Sequence, residues 1–429
     1  MKKIVRAGGN AVSFEEAETW LLDLADLSLS SREIERLTER VGREMQSRRD
    51  EEVARWTDRK EIADPIVSVP KVAAIGYDGG RVRTRQEGNK PGVHEPEWKE
   101  VKVACVQSLD SKESPSDPQP KIPAMFLNKA KVEALCKELS RGRSAGSEEP
   151  SQAAGKRKAA PGDGQGVDEG RRERKKAKEK PPPVRGIERD RDDEEARRQA
   201  AARRPRVLVQ ACVASMAATI APFGKIVAAE VARRRLDQAP RRAFLGDGDH
   251  KNWMMHAEYF IDWIPILDFI HLVEHLFEAA RAARGRTPEA FDLYSALVTD
   301  TWRGDAPSVL AALRREAAGL GAPPEHAADD DPRKIVANAV GYVEANAPRM
   351  KYAEYRRQGL PITTCHVESL IKKVNFRIKA SDKFWTLSGG DAELQVRAAR
   401  LSNDDREPRF WRERAMFLAR HKRPYRKAA

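Results

Sequence analysis

The chain has 429 residues, 79 Lys and Arg against 66 Asp and Glu, and a formal net charge of +13. This length allows two or three domains with buried cores, and the charge favours a polyanionic partner, either nucleic acid or a membrane surface. No apolar run approaches the ~20 residues of a membrane span. The opening MKKIVRAGGNAVSFEEAE lacks the apolar core of a secretory signal, so export is not expected. The cysteines (Cys105, Cys136, Cys212, Cys365) show no paired spacing, which points to a reducing compartment and against structural zinc. A soluble, basic, cytoplasmic protein is expected.

Residues 1–62 read as helical. Ser13 with Glu16 and Ser30 with Glu33 have capping-box spacing. Ala17, Trp20, Leu21 and Leu24 recur on one face of the first helix, and Ile34, Leu37, Val41 and Met45 on the inner face of the second. The pair is either a helix-turn-helix with Arg32, Arg36, Arg40 and Arg43 on its second helix, or a plain helical hairpin. From Pro65 the period changes. VSVPKVAAIGYDGGRVRTR breaks at Asp78-Gly79-Gly80, a hairpin signal, and resumes as an alternating strand with Arg81, Arg83 and Arg85 on one face. Trp98 to Asp110 is the next strand, followed by the helical KVEALCKELSRGR. Residues 142–205 hold almost no large apolar side chain, so a disordered basic insertion is expected there.

RVLVQACVASM then reads as a buried strand and FGKIVAAEVARRRL as an amphipathic helix. RRAFLG is a short strand ending at Asp247, KNWMMHAEYF a helix, and WIPILDFIHLVEHLFEAARAAR a strand passing into a long helix. Alternating strands and helices after a meander indicate a mixed α/β sheet with helices on both faces. Its core is expected in three pieces, 65–141, 206–276 and 361–411. An all-helical insertion occupies 277–360, with Trp302, Leu310, Leu313, Ile335, Val336, Val340 and Val343 as core, and a basic tail occupies 412–429.

Three carboxylates carry the chemistry. Asp78 and Asp247 are expected at strand ends and Glu368 in the first turn of a helix, positions that meet at one edge of a mixed sheet. Each also has a structural reading: Asp-Gly is a turn former, and Glu368 followed by Lys372, Lys373, Arg377 and Lys379 resembles a solvated helix face. Asp249, in GDGDH, rivals Asp247, which directly follows the apolar AFLG. Three clustered carboxylates repel one another unless a cation neutralises them, and oxygen ligands select Mg2+ or Mn2+. Two such ions ~3.5–4 Å apart suit phosphodiester chemistry. Arg81, Arg83, Lys372 and Lys379 are candidate phosphate contacts. His271, Glu274 and His275 lack the HExxH order, which argues against zinc.

The pieces YDGGRVRTR, WKEVKV, FLGDGDHKNW, ILDFIHLVEHL and RMKYAEYRRQGLPITTCHVESLIKKVNFRIKASDKFW occur in an order that resembles DDE transposases of bacterial insertion sequences, the ISKra group and its Mutator-like relatives. The resemblance spans about Val69 to Trp411. It implies a ribonuclease H-like fold and a catalytic, metal-binding triad of Asp78, Asp247 and Glu368 with two Mg2+ or Mn2+ ions. It also implies an Asp268–His271 pair near the DNA strand rather than a metal ligand. The implied partners are element-end and target DNA, with a homo-oligomer on the DNA and a nucleoid location. The chain departs from the pattern at Thr364, Cys365 and His366, where a Ser-Gly pair is usual, and at Asn375, where a basic residue is usual. Two other readings stay open: a transposase-derived DNA-binding protein without activity, and a ribonuclease H-type nuclease.

Overall fold

The computed structural model describes residues 1–62, 68–85, 97–147, 205–379 and 383–421. Its centre is a mixed open sheet in the order β3-β2-β1-β4-β5. Strands β1 (Val72–Arg85), β2 (Glu97–Asp110) and β3 (Arg206–Ser215) form an antiparallel meander. β4 (Arg241–Gly246) lies parallel to β1, and β5 (Ile264–Leu267) lies parallel to β4. The two-residue β6 (Trp385–Thr386) pairs with the far end of β1. Strands covered on both faces need apolar residues at successive positions, and Val72 to Tyr77 and Ala243 to Gly246 are buried without interruption.

The turn expected at Asp78-Gly79 is absent. β1 continues through it, with Asp78 opposite Val103 and Gly79 opposite Lys102. Pairing with β2 on both sides of Asp78 outweighs the local turn preference of Asp-Gly, so Asp78 lies within a strand and not at its end. The connection from β1 to β2 falls in 86–96, outside the described residues. Beyond Asp78 the alternation holds: Val82 and Thr84 are buried, and Arg81 and Arg85 are exposed.

Helices cover both faces. On one, Ala73, Ile75, Tyr77, Val106 and Phe244 meet Phe223, Val227 and Val231 of α5 (Ile220–Arg233) and Met255 of α6 (His250–Tyr259). On the other, α7 (Phe269–Arg284) packs its Phe269, Leu272, Val273 and Leu276 against Val72, Ala74 and Leu245. Beside α7, Val367, Leu370, Val374 and Ile378 of α12 (Cys365–Ile378) pack on Val82, Val103 and Cys105. Gly76 permits this approach: a Cβ there would lie 2.2 Å from Val367 Cγ2.

Residues 277–360 are helical, in α8 (Pro288–Arg303), α9 (Ala306–Leu320), α10 (Pro332–Asn346) and α11 (Tyr352–Arg357). Trp302, Leu313, Val336 and Val343 are buried, and Leu310, Ile335 and Val340 are half-buried. Their core is continuous with that of α7 and the sheet.

At the N-terminus, α1 (Lys2–Asn10) precedes the two expected helices, α2 (Phe14–Ala25) and α3 (Ser31–Arg59). Ser13 and Ser30 cap them as the spacing requires, accepting from the backbone N–H of Glu16 and Glu33. Trp20 and Leu24 do not join the core and are 38% and 83% exposed. α2 packs chiefly on α1 and α3, which cover only Ala17 and Leu21. α3 lies along α13 (Leu387–Leu401) so closely that a Cβ on Gly42 would be 2.1 Å from the Ala392 carbonyl oxygen.

Arg377 departs from the solvated face expected for α12. It is fully buried, donating to Glu393 and to the Gly8 carbonyl, both at 2.9 Å, with its guanidinium over Phe14 and Trp385. α4 (Lys129–Ser147) runs past the boundary expected at 142, and the rest of the low-complexity stretch, 148–204, lies outside the described residues. In the expected basic tail, α14 (Arg406–His421) continues helical, and 422–429 are likewise outside. Among the described residues, no helix is long and apolar enough to cross a membrane.

Candidate functional site

The parallel register Gly76–Leu245 brings Asp78 and Asp247 to matching positions, two residues further on along β1 and just past the end of β4. α12 runs over β1 in the same sense, with Val367 above Gly76 and Asn375 3.8 Å from the Cβ position of Gly80. Glu368, in the first turn of α12, therefore lies over the same segment. Asp268 caps the N-terminus of α7, and His271 sits one turn later. Five residues from four separated stretches are thus near enough to influence one another's charge: Asp247, His271 and Glu368 act on Asp78, and Asp268 and His271 on Glu368.

The electrostatics follow from this crowding. Burial, and next the charge of Asp247, push the Asp78 carboxyl up to about 7, against the Gly79 N–H bond (2.6 Å) and His271, which favour its ionised form. Burial and then Asp268 raise Glu368 above the usual carboxylate range. Among the described residues, its buried Oε1 has no hydrogen-bond partner. Burial works to lower the pKa of His271, but the Asp268 carboxylate 3.6 Å from its Nδ1, with Asp247 and Asp78 beyond, outweighs it and holds it at about 10. A cation is thereby built into the acid cluster at neutral pH.

Asp268, Glu368 and His271 offer ligand atoms within 4.8 Å of one another. Asp268 is poorly suited to a metal, because both of its oxygens are already engaged. Oδ1 accepts from the backbone N–H of Ile270 (2.6 Å) and His271 (3.1 Å), and Oδ2 accepts from the Thr364 N–H and hydroxyl. Burial would raise its pKa, yet the His271 and Thr364 contacts pull it below the usual range. Asp268 ties the start of α7 to the residue before α12. Among the described residues, Asp78, Asp247 and Glu368 do not form a second such group.

Geometry also separates Asp247 from Asp249. Asp249 is the exposed N-cap of α6, accepting from the Lys251 N–H at 2.7 Å. Asp247 accepts from the Asp249 N–H (3.0 Å) and from Asn252 (2.5 Å), which fixes its side chain beside β1. Its backbone is held by a residue that sequence reasoning missed: Tyr342 of α10 donates its hydroxyl to the Asp247 carbonyl at 2.6 Å. Tyr342 also stacks on His275, with ring centroids 4.0 Å apart, and packs against Gly248, whose φ of +97° suits glycine. A carbonyl contact made 95 residues away leaves no sequence signal; the glycine in GDGD is its only trace.

The expected DNA contacts distribute unevenly. Arg81 is exposed. Arg83 lies between Trp98 and Phe384, at 5.3 and 6.0 Å from their ring centroids. Lys372 pairs with Glu138 of α4 at the surface. Lys379 is half-buried at the C-cap of α12. Another acid, Glu100, is held below its usual range, since Lys102 and Lys251 hydrogen-bond it and outweigh its burial. Glu274 accepts from Ser140 at 3.0 Å, and His275 is engaged with Tyr342, so neither adjoins His271 as a ligand set.

No protein-family model matches the chain, and none of the curated proteins compared with it matches.

Proposed function

We propose that this protein is a DDE-type DNA transposase whose core is ribonuclease H-like. The observation that carries the reading is the electrostatic coupling of Asp78 with Asp247, His271 and Glu368, with Asp78 raised to about 7 and a buried Glu368 oxygen lacking a partner among the described residues. Carboxylates forced together against their own repulsion are what a divalent-cation site requires. The strand order, with three antiparallel strands followed by two parallel ones, supports the ribonuclease H-like assignment. Asp78, Asp247 and Glu368 would hold two Mg2+ or Mn2+ ions. Bound there, such ions supply Lewis acidity for in-line attack of water or a 3′ hydroxyl on a phosphodiester.

The residues of the chain do the rest. Asp78 and Asp247 present their oxygens from one rigid sheet, and Glu368 closes the set from the helix above it. His271 offsets part of the negative charge, and Arg81, Lys372 and Lys379 meet the DNA backbone. Water cleaves the strand at the element end, leaving a 3′ hydroxyl and a 5′ phosphate; that hydroxyl attacks a target phosphodiester and displaces the target's own 3′ oxygen, with a homo-oligomer holding the ends.

Purified protein incubated with its terminal-repeat DNA and Mn2+ should nick the element end. Asp78→Asn and Glu368→Gln should each abolish nicking while binding persists; wild-type nicking by either variant would remove the assignment. One observation favours a second reading: Thr364, Cys365, His366 and Asn375, around Glu368, depart from the pattern that the resemblance implies. Specific repeat binding, with no nicking at any Mn2+ concentration, would select it.

A further inference from the structure

The outward face of α12 combines features that the triad does not use. Glu368, Ser369, Lys372, Lys373, Phe376 and Arg397 line an open groove that begins at the acid cluster. While Val367, Leu370 and Val374 of the same helix are buried, Phe376 is 56% exposed. Arg397 makes a rigid floor: its guanidinium donates to the Lys373 carbonyl at 2.8 and 3.2 Å and to the Gly9 carbonyl at 3.1 Å. Lys373 is exposed beside the ring. Lys372 pairs with Glu138 at the surface, where an exposed ion pair is weak and a phosphate can compete for the ammonium.

We infer that this groove holds an unpaired nucleic-acid strand leading to Glu368, with a base stacked on Phe376 and phosphates at Lys372 and Lys373. The inference rests on the nucleic-acid reading above and specifies the form of the substrate. A duplex presents phosphates and sugars outward and keeps its bases stacked inside, so it has no use for a phenyl ring. A splayed base offers a π face to an aromatic side chain, and lysines alongside track its backbone. Phe376 lies eight positions beyond Glu368 on α12, a rise of ~12 Å, which an unpaired strand spans in a few nucleotides at most. The strand would therefore be open for a few nucleotides beside the reacting phosphodiester.

The test uses the full chain in EDTA, so that cleavage does not interfere. Binding of a fluorescent single-stranded 12-mer is compared with the same sequence as a duplex, and 2-aminopurine placed along the strand reports stacking. Phe376→Ala should weaken single-strand binding ~10-fold, within the range for loss of one base–aromatic stack, and abolish the 2-aminopurine quenching. Duplex binding should be unchanged, and Phe376→Trp should restore the strand. Equal losses for strand and duplex, or no loss for either, would overturn the inference. A change confined to sedimentation would also overturn it, assigning Phe376 to contact between copies of the chain. Missing quenching with nicking intact would reject this inference alone, whereas quenching without nicking would reject only the transposase reading.

Discussion

Asp268, at its junction with Thr364, and the carboxylates of Asp78 and Glu368 show burial with opposite outcomes. Asp268 is completely buried, and each of its oxygens accepts two hydrogen bonds, so its charge is stabilised and its pKa falls. Asp78 and Glu368 are less buried but under-supplied with donors and close to other acids, so their pKa values rise. Burial alone does not mark a ligand. A buried carboxylate short of partners does, because the missing stabilisation has to come from something that binds.

The largest effect that would sharpen this contrast is Asp268→Ala. It strips the cap of α7 and orphans two donors at Thr364, and should cost about 3 kcal/mol or more of stability in chemical denaturation. A near-neutral result would break the distinction. Asp78→Asn should do the reverse, removing a charge from a repelling pair and adding about 1–2 kcal/mol at pH 8 while eliminating Mn2+ binding measured by calorimetry.

Titration in chelator should show the same strain. The raised Asp78 carboxyl contributes stability that is fully present below its ordinary 3.8 and is lost as pH rises through about 7. His271 acts in the same sense, its contribution present below 6.5 and lost as pH rises through about 10. The melting temperature should therefore fall from pH 5 to pH 8. Added Mn2+ should raise it more at pH 8, where the carboxylates are ionised, than at pH 5. The smallest effect is Tyr342→Phe, which loses one hydrogen bond to the Asp247 carbonyl. It should cost about 1 kcal/mol or less and weaken Mn2+ binding a few-fold, with the fold retained.

Several elements were legible because local pattern and tertiary packing agree on them. The capping serines before α2 and α3, the apolar runs of β3 and β4, and the first-turn position of Glu368 follow from period and composition. At Asp78 the Asp-Gly pair favours a turn locally, whereas ladder pairing with β2 keeps it extended. Arg377 looked like a solvated cation, since nothing near it in sequence announces Glu393 or the Phe14 ring. Trp20 and Leu24 fit an amphipathic period, but among the described residues no surface covers them.

What the amino-acid order determined by itself is the inventory: a basic chain, its strands and helices in sequence, and three acids placed near the ends or starts of those elements or at a break in their pattern. Which acids meet, and which of them is satisfied, was decided by the tertiary structure. The meeting depends on the parallel register of β1 with β4 and on the approach of α12 over Gly76. The difference between Asp268 and Glu368 depends on donors delivered by Thr364, 96 positions along the chain. Such long-range contacts govern desolvation and charge pairing, and local periodicity carries no information about either.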